Sequence, residues 1–425
     1  MTDEENREGS LLPASPGPLS GVRVCDLTGQ LAGAGCTRIL AALGAQVIRV
    51  EDPVRQGLWD ITRASGPFVD DRRGINLGTN WNNHNVGKLG ITINLRSERG
   101  KELLARLIER SDVLAENFSA GTLARLGFPY ERIREINPQI VYVSNCGFGQ
   151  TGPYSPYKTY GPAVQALCGL TSMSGLADLE PAGWGYSYMD HHGAYFMAMA
   201  VMLGLLHRNR TGEGQAVDMA CTEAGVGLTG PTILDQSVNG RRFRRPGSPD
   251  SNHSDHGEMV PHNVYPCAGD DEWVALACRS DDDWRALHPL LSEDPDAGSS
   301  EDALATRLAH QDAIDASIRR WTEQRDANDV VDQLQSLPIP AARVARPSYR
   351  IDEDGETAAW MLWPTVVHPE IGPIRVEGLP LHLSETDWRI ERSAPCLGEH
   401  TAMVLRDILG VSDEYIDELA SEGSI

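Results

Sequence analysis

The stretch GVRVCDLTGQLAGAGCTRILAALGAQVIRVE, residues 21–51, constrains the fold more than any other part of the chain. It reads as a strand at 22–27, a glycine turn, a helix at 36–45 and a second strand at 46–50. A helix inserted between two strands is the connection that parallel pairing requires. The alternation then repeats. LGITINL (89–95) is a strand, and SERGKELLARLIERSD (97–112) is a helix whose apolar residues recur at helical spacing. VLAENF (113–118) and QIVYVSN (139–145) are further strands, the second running into the glycine-rich CGFGQTGPY. The pattern predicts an α/β fold with a parallel sheet covered by helices on both faces.

Strand, glycines, helix and a closing acid also describe a dinucleotide site, with Glu51 where a ribose-binding carboxylate would stand. Two details oppose it. Arg38 occupies the third glycine position, where close helix–strand packing is needed. Thr28 to Leu31 also separate the strand from Gly33 and Gly35. What the residues alone leave is an anion site of unspecified chemistry at a helix N-terminus.

At 425 residues the chain exceeds one compact core, so two domains are expected. Residues 1–20 are polar and proline-rich, a flexible arm. AYFMAMAVMLGLLHRNR (194–210) is a long apolar helix with basic residues at its end, and VYPCAGDDEWVALACRS (264–280) reads as a hairpin. The net charge of −23 argues against nucleic acid as a partner. The sequence lacks an apolar run long enough for a membrane span, and MTDEENREGS lacks the features of a signal peptide. Eight scattered cysteines without a C-x-x-C suggest reduced thiols, so a soluble cytoplasmic protein is expected. Only three lysines occur, Lys88, Lys101 and Lys158.

Several segments together carry a resemblance: residues 21–51, GKLGITINLRSERGKELL (87–104), and SDVLAENFSAGTLARLGFPYERIREINPQIVYVSNCGFGQTGPY (111–154). LLHRNRTGEGQAVDMACTEA (205–224) and APCLGEHTAMVLRDILG (394–410) complete it. In order and spacing the chain resembles the class III CoA-transferases, the group of formyl-CoA transferase, and is similar to the benzylsuccinate and carnitine types. The resemblance implies a Rossmann-like, CoA-binding large domain built from 21–225 and 341–425, and a smaller α+β domain at 226–340. It further implies an interlocked homodimer. Some relatives pair two similar chains of which one lacks the nucleophile, and Asp190 would make this chain the catalytic member of such a pair.

The resemblance places the family's nucleophilic aspartate at Asp190 in YSYMDHHGAYF, just before the long helix. It implies that this carboxylate attacks a donor acyl-CoA, giving a mixed anhydride and CoA thiolate. The thiolate then attacks the enzyme carbonyl to leave an aspartyl-CoA thioester. The acceptor acid reverses the sequence. CoA enters as substrate, with no permanently bound cofactor and no metal expected. Taken without the resemblance, an aspartate ahead of a helix is equally an N-cap.

By the same resemblance Asn117, Phe118 and Arg125 lie along CoA, as do Lys158, Lys88 and the first glycine turn at Leu31 and Ala32. Gln30, Tyr160, Trp184, Tyr188 and His191 are assigned to the acyl pocket, with Gly257 as the flexible point of a loop at 245–267. There are departures. Leu31 stands where formyl-CoA transferase has glutamine, and that enzyme's tetraglycine lid is replaced by RPGSPDSNHSDHGEMVPHNVYPC. The aromatic GWGYSYMD points to a sizeable apolar or aromatic acid, with core packing as the alternative.

Two other readings stay open. α-Methylacyl-CoA racemases share the fold but need a histidine where Tyr160 stands, and a phenol is a poor α-carbon base near neutral pH. His253, Asp255, His256, Glu258 and His262 are metal-ligating types, at a spacing that matches no recognised site.

Overall fold

A computed structural model of the chain describes residues 17–175, 179–241, 252–254 and 258–425. Gly257 and residues 1–16 of the arm lie outside the described residues. The chain divides into two compact units, one of 1–170, 183–230 and 355–425, the other of 171–182 and 231–354.

In the first unit six strands form one sheet: β1 (Arg23–Asp26), β2 (Gln46–Glu51), β3 (Leu89–Thr92), β4 (Val113–Glu116), β5 (Val141–Cys146) and β6 (Gln215–Ala220). Their order is β3-β2-β1-β4-β5-β6 and every pairing is parallel. Successive side chains alternate between two cores, as the pleat requires. Val24, Val47, Val113, Val141 and Val143 face a layer formed by the helices Ala32–Ala42 and Tyr188–Thr211. Cys25, Ile48, Ile91 and Leu114 face the helix Glu98–Glu109. Val404 and Leu405 of the helix Thr401–Asp407, near the end of the chain, join that second core, so distant parts of the chain build the unit together. A hairpin of β10 (Thr365–His368) and β11 (Gly372–Arg375) belongs to the same unit.

The second unit holds an antiparallel sheet of β7 (His262–Pro266), β8 (Trp273–Ala277) and β9 (Ala341–Arg343). Tyr265, Val274 and Leu276 pack there on Trp284, Ile314, Ile318 and Val330.

Two helix boundaries differ from the sequence reading. The first helix begins at Ala32 rather than at 36, so Gly33 and Gly35 lie inside it rather than before it. Packing explains the shift. A Cβ on Gly33 would stand 2.5 Å from Thr28 Cβ and 2.6 Å from Asn117 Cγ, so only glycine lets the helix begin so close to the preceding turn. The long helix begins at Tyr188 rather than at 194, which puts Asp190 in its first turn. Ser187 takes the N-cap position instead, without a side-chain capping bond.

Candidate active site at the carboxyl edge of the sheet

The strand order reverses between β1 and β4, and in open parallel sheets ligands bind outside the carboxyl ends of the strands at that point. The turn after β1 lies there. Asn117, just past β4, grips it with both ends of its amide: Gly29 N–H donates to Oδ1 at 2.7 Å and Nδ2 donates to Gly29 O at 3.0 Å. Gln30 has a left-handed backbone (φ 55°), and its N–H donates to Asp60 Oδ2 at 3.0 Å. Asp60 also accepts from Arg49 at 3.0 Å and from the Thr62 hydroxyl at 2.6 Å. Phe118 lies against Trp59 with ring centroids 5.5 Å apart.

Beneath this turn lies a dry charge network. Glu51 is fully buried and takes a bidentate bond from Arg63, 2.7 Å to each oxygen. The Arg63 guanidinium stacks on Trp81, 3.4 Å from the ring centre. A carboxylate so engaged has no face left for a ribose, which closes the dinucleotide reading. Lys88 is equally buried. Its ammonium reaches Ala34 O at 3.0 Å, Asn85 Oδ1 at 2.9 Å and Asp26 at 3.3 Å. Burial raises Asp26, but Lys88, Arg49 and two threonine hydroxyls outweigh it and hold its carboxyl below the usual range. The structure thus places the Lys88 ammonium inside the sheet's charge network, away from any ligand surface. Arg125 and Lys158, by contrast, are both exposed; Arg125 bonds Ala120 O and the Thr122 hydroxyl.

The helices Ala32–Ala42 and Tyr188–Thr211 both return from the carboxyl edge, so they run parallel. They touch where a Cβ on Gly35 would lie 3.0 Å from Ala194 Cβ. One turn nearer the edge on each helix stand Leu31 and Asp190. Leu31 is half-buried and Ala32 buried.

Asp190 is half-buried, and its carboxylate accepts hydrogen bonds from the Ser187 side chain and the Gly161 N–H. Burial pushes it up to about 6 against the lowering effect of those two bonds. Gly161 opens the helix Gly161–Leu167 behind Tyr160. A Cβ there would fall 2.9 Å from Asp190 Oδ2 and 2.9 Å from Ser187 Cβ, so the donor must be glycine. The sequence reading missed Gly161 and Ser187. Gly161-Pro162 announces a helix start, but nothing local says which side chain that start faces.

Around Asp190, Tyr188 packs edge-on against Trp184 (4.8 Å) and Tyr186 (6.0 Å). Trp184, Tyr186 and Tyr160 are all exposed. Among the described residues no strand stands between the helix Gly161–Leu167 and the long helix, so these rings are not packed on a strand directly before it. His191 faces buried His84, with ring centroids 5.5 Å apart, and burial lowers it. His192 Nε2 donates to Ala224 O at 3.1 Å. In the second unit His253 bonds Asp315 at 2.6 Å. Asp255 and His256 lie outside the described residues, among which no cluster of three or more His, Cys, Asp or Glu could hold a metal.

The family model described as CoA-transferase family III matches residues 19–401. The chain belongs to CoA-transferase family III. Curated members similar to it include a formyl-CoA:oxalate CoA-transferase of Streptomyces coelicolor, 32% identical over 96% of this chain and 99% of that one. A succinate–glutarate CoA-transferase of Agrobacterium fabrum is 33% identical over 96% and 98%. A succinyl-CoA–D-citramalate CoA-transferase of Chloroflexus aurantiacus is 30% identical over 96% and 98%. Among solved structures, a CAIB/BAIF family protein of Brucella suis aligns with TM-score 0.82 at 29% identity, covering 93% of this chain and all of that one. This family III chain is accordingly a CoA-transferase, with a CoA thioester as substrate. No helix of the described residues is long and apolar enough to cross a membrane.

Proposed function

We propose that the enzyme moves CoA from an acyl-CoA donor to a free carboxylic acid, with Asp190 as the covalent carrier. The observation that carries this reading is the state of that carboxylate: half-buried at the carboxyl edge, raised to about 6, and fixed by Gly161 N–H and Ser187. It is ionised at neutral pH, yet less solvated and more nucleophilic than an ordinary aspartate.

An oxygen of Asp190 adds to the thioester carbonyl. The C–S bond breaks, CoA leaves as thiolate, and a mixed anhydride remains. The thiolate adds to the Asp190 carbonyl carbon and expels the donor acid, leaving aspartyl-CoA. The acceptor carboxylate attacks that thioester and regenerates the anhydride, whose acyl group the thiolate then removes. Each step exchanges one activated carbonyl for another, so the activation of the donor is kept provided water stays out. The Gly161 N–H, already donating to the Asp190 carboxylate, can follow the developing charge.

Asn117 and Phe118 shape the cofactor groove, while Arg125 and Lys158 offer accessible charge to the CoA phosphates. Gln30, Tyr160, Trp184, Tyr188 and His191 border the acyl pocket, and their rings favour a bulky apolar or aromatic acid. Racemase chemistry would need two acid/base groups facing one carbon. His192 is instead engaged with Ala224, and His191 with His84.

A homodimer belongs to the same proposal. The long helix buries Met197, Val201 and Leu205 against the sheet, yet also presents Phe196, Met199, Leu203 and Leu206 to solvent. A helix apolar on both sides requires a second covering surface.

The test is turnover with formyl-CoA and oxalate, succinyl-CoA and glutarate, or succinyl-CoA and D-citramalate, followed with an aryl acid as acceptor. Asp190→Ala is expected to lose at least about 1000-fold in kcat, as removal of a covalent nucleophile does. Retained turnover overturns the proposal.

A further inference from the structure

Asn145 is the fifth residue of β5, with 2% of its surface exposed. Its Oδ1 accepts a hydrogen bond from the Cys221 thiol at 3.0 Å. Its Nδ2 has no hydrogen-bond partner among the described residues. A buried amide left in that condition is costly, and native chains retain few of them.

Its position gives the amide a use. A Cβ on Gly193 would lie 3.5 Å from Asn145 Nδ2 and 2.8 Å from Cys221 Sγ. Gly193 is three residues beyond Asp190, on the same helix face. The absence of a side chain at Gly193 therefore leaves the amide facing the helix one turn below the nucleophile. Cys221 senses the same neighbourhood: its thiol is pushed up to about 12 by burial first and by the Asp190 charge second.

We propose that Asn145 is a further catalytic residue, whose Nδ2 donates to the oxygen of Asp190's own carbonyl while that carbonyl is under attack. This rests on the covalent role of Asp190 proposed above. When the CoA thiolate adds to the anhydride at the Asp190 carbonyl carbon, the C=O electron pair moves onto oxygen. The tetrahedral intermediate then collapses, re-forming C=O and expelling the donor carboxylate. The negative oxygen needs a donor only in that interval. A donor idle in the resting enzyme and satisfied in the intermediate lowers the barrier without tightening ground-state binding. The same amide serves the acceptor's attack on aspartyl-CoA, which passes through the same oxyanion.

The experiment compares Asn145→Leu and Asn145→Ala with the parent enzyme and Asp190→Ala, using whichever of succinyl-CoA with glutarate or formyl-CoA with oxalate the parent turns over faster. The leucine variant removes an unsatisfied buried amide at nearly constant volume and should raise the unfolding temperature. The alanine variant leaves a cavity and should lower it. Despite these opposite effects on stability, both should lose about 100-fold in kcat with KM within about twofold. A purely structural asparagine would make activity follow stability. Equal kcat in all three Asn145 forms, with Asp190→Ala inactive, overturns this inference alone. An active Asp190→Ala, or no turnover by the parent with either pair, overturns the covalent reading beneath it.

Discussion

Asn117 and Gly29 exchange two hydrogen bonds across the point where the sheet reverses, 2.7 Å through the side-chain oxygen and 3.0 Å through the amide nitrogen. The pairing ties the turn after β1 to the turn after β4. Gly33 is part of this clamp, because any side chain there would collide with Asn117.

Asn117→Ala removes both bonds at once. At about 1 kcal/mol each, stability should fall by about 2 kcal/mol in urea denaturation. The KM for acyl-CoA should rise about tenfold as the turn loosens, with kcat less affected. Unchanged KM would mean that the turn does not border the CoA groove.

Gly161→Ala brings a methyl group within 2.9 Å of Asp190 Oδ2. The carboxylate or the helix start must shift, and the N–H loses its aim. The expected loss in kcat is about 100-fold, with near-native circular dichroism. Full activity would show that the Gly161 N–H plays no part in catalysis.

The raised Asp190 carboxyl fixes two pH dependences. Activity should climb as pH rises through about 6, where the carboxyl ionises, and this limb should be read in kcat/KM. Stability moves the other way. The folded state holds the proton more tightly than the unfolded chain, so ionising Asp190 costs stability that is absent below about pH 4 and complete above about pH 6. Asp190→Asn should therefore be more stable than the parent at pH 7, by up to about 3 kcal/mol. Denaturation of both proteins at pH 4 and pH 7 measures the difference, and the advantage should vanish at the lower pH.

Lys88 and Lys158 should separate cleanly. Lys158 is exposed, so Lys158→Ala should raise the KM for acyl-CoA several-fold, and more at low salt. Lys88→Met removes a buried cation from beside Asp26, so its effect should appear in unfolding, with the KM of the remaining folded enzyme unchanged. A salt-dependent loss of CoA affinity in Lys88→Met would contradict the buried placement.

Much of this arrangement is legible in the sequence because it is local. The alternation of apolar strands with amphipathic helices announces the parallel sheet, whereas Asp190 is singled out only by the resemblance to the family. Features that depend on distant partners are not legible. Glu51 looks like a ribose-binding acid until Arg63, twelve residues later, folds back onto both its oxygens. Lys88 looks like a phosphate contact because a lysine in a glycine turn carries no sign of the Asp26 that buries it. Gly33 and Gly35 look like a turn before a helix, yet they lie inside it because Asn117 and Ala194 come so close. Gly161 and Asn145 meet the helix of Asp190 only once β5 and the helix Gly161–Leu167 are in place.

The most direct test of the covalent carrier is intact-mass spectrometry of the enzyme mixed with succinyl-CoA or formyl-CoA and quenched with acid. The expected result is an adduct of CoA mass, located by peptide mapping at Asp190, converted by hydroxylamine to a hydroxamate and absent from Asp190→Ala. Turnover without any such adduct, or an adduct that persists in Asp190→Ala, would contradict the central role given to this carboxylate.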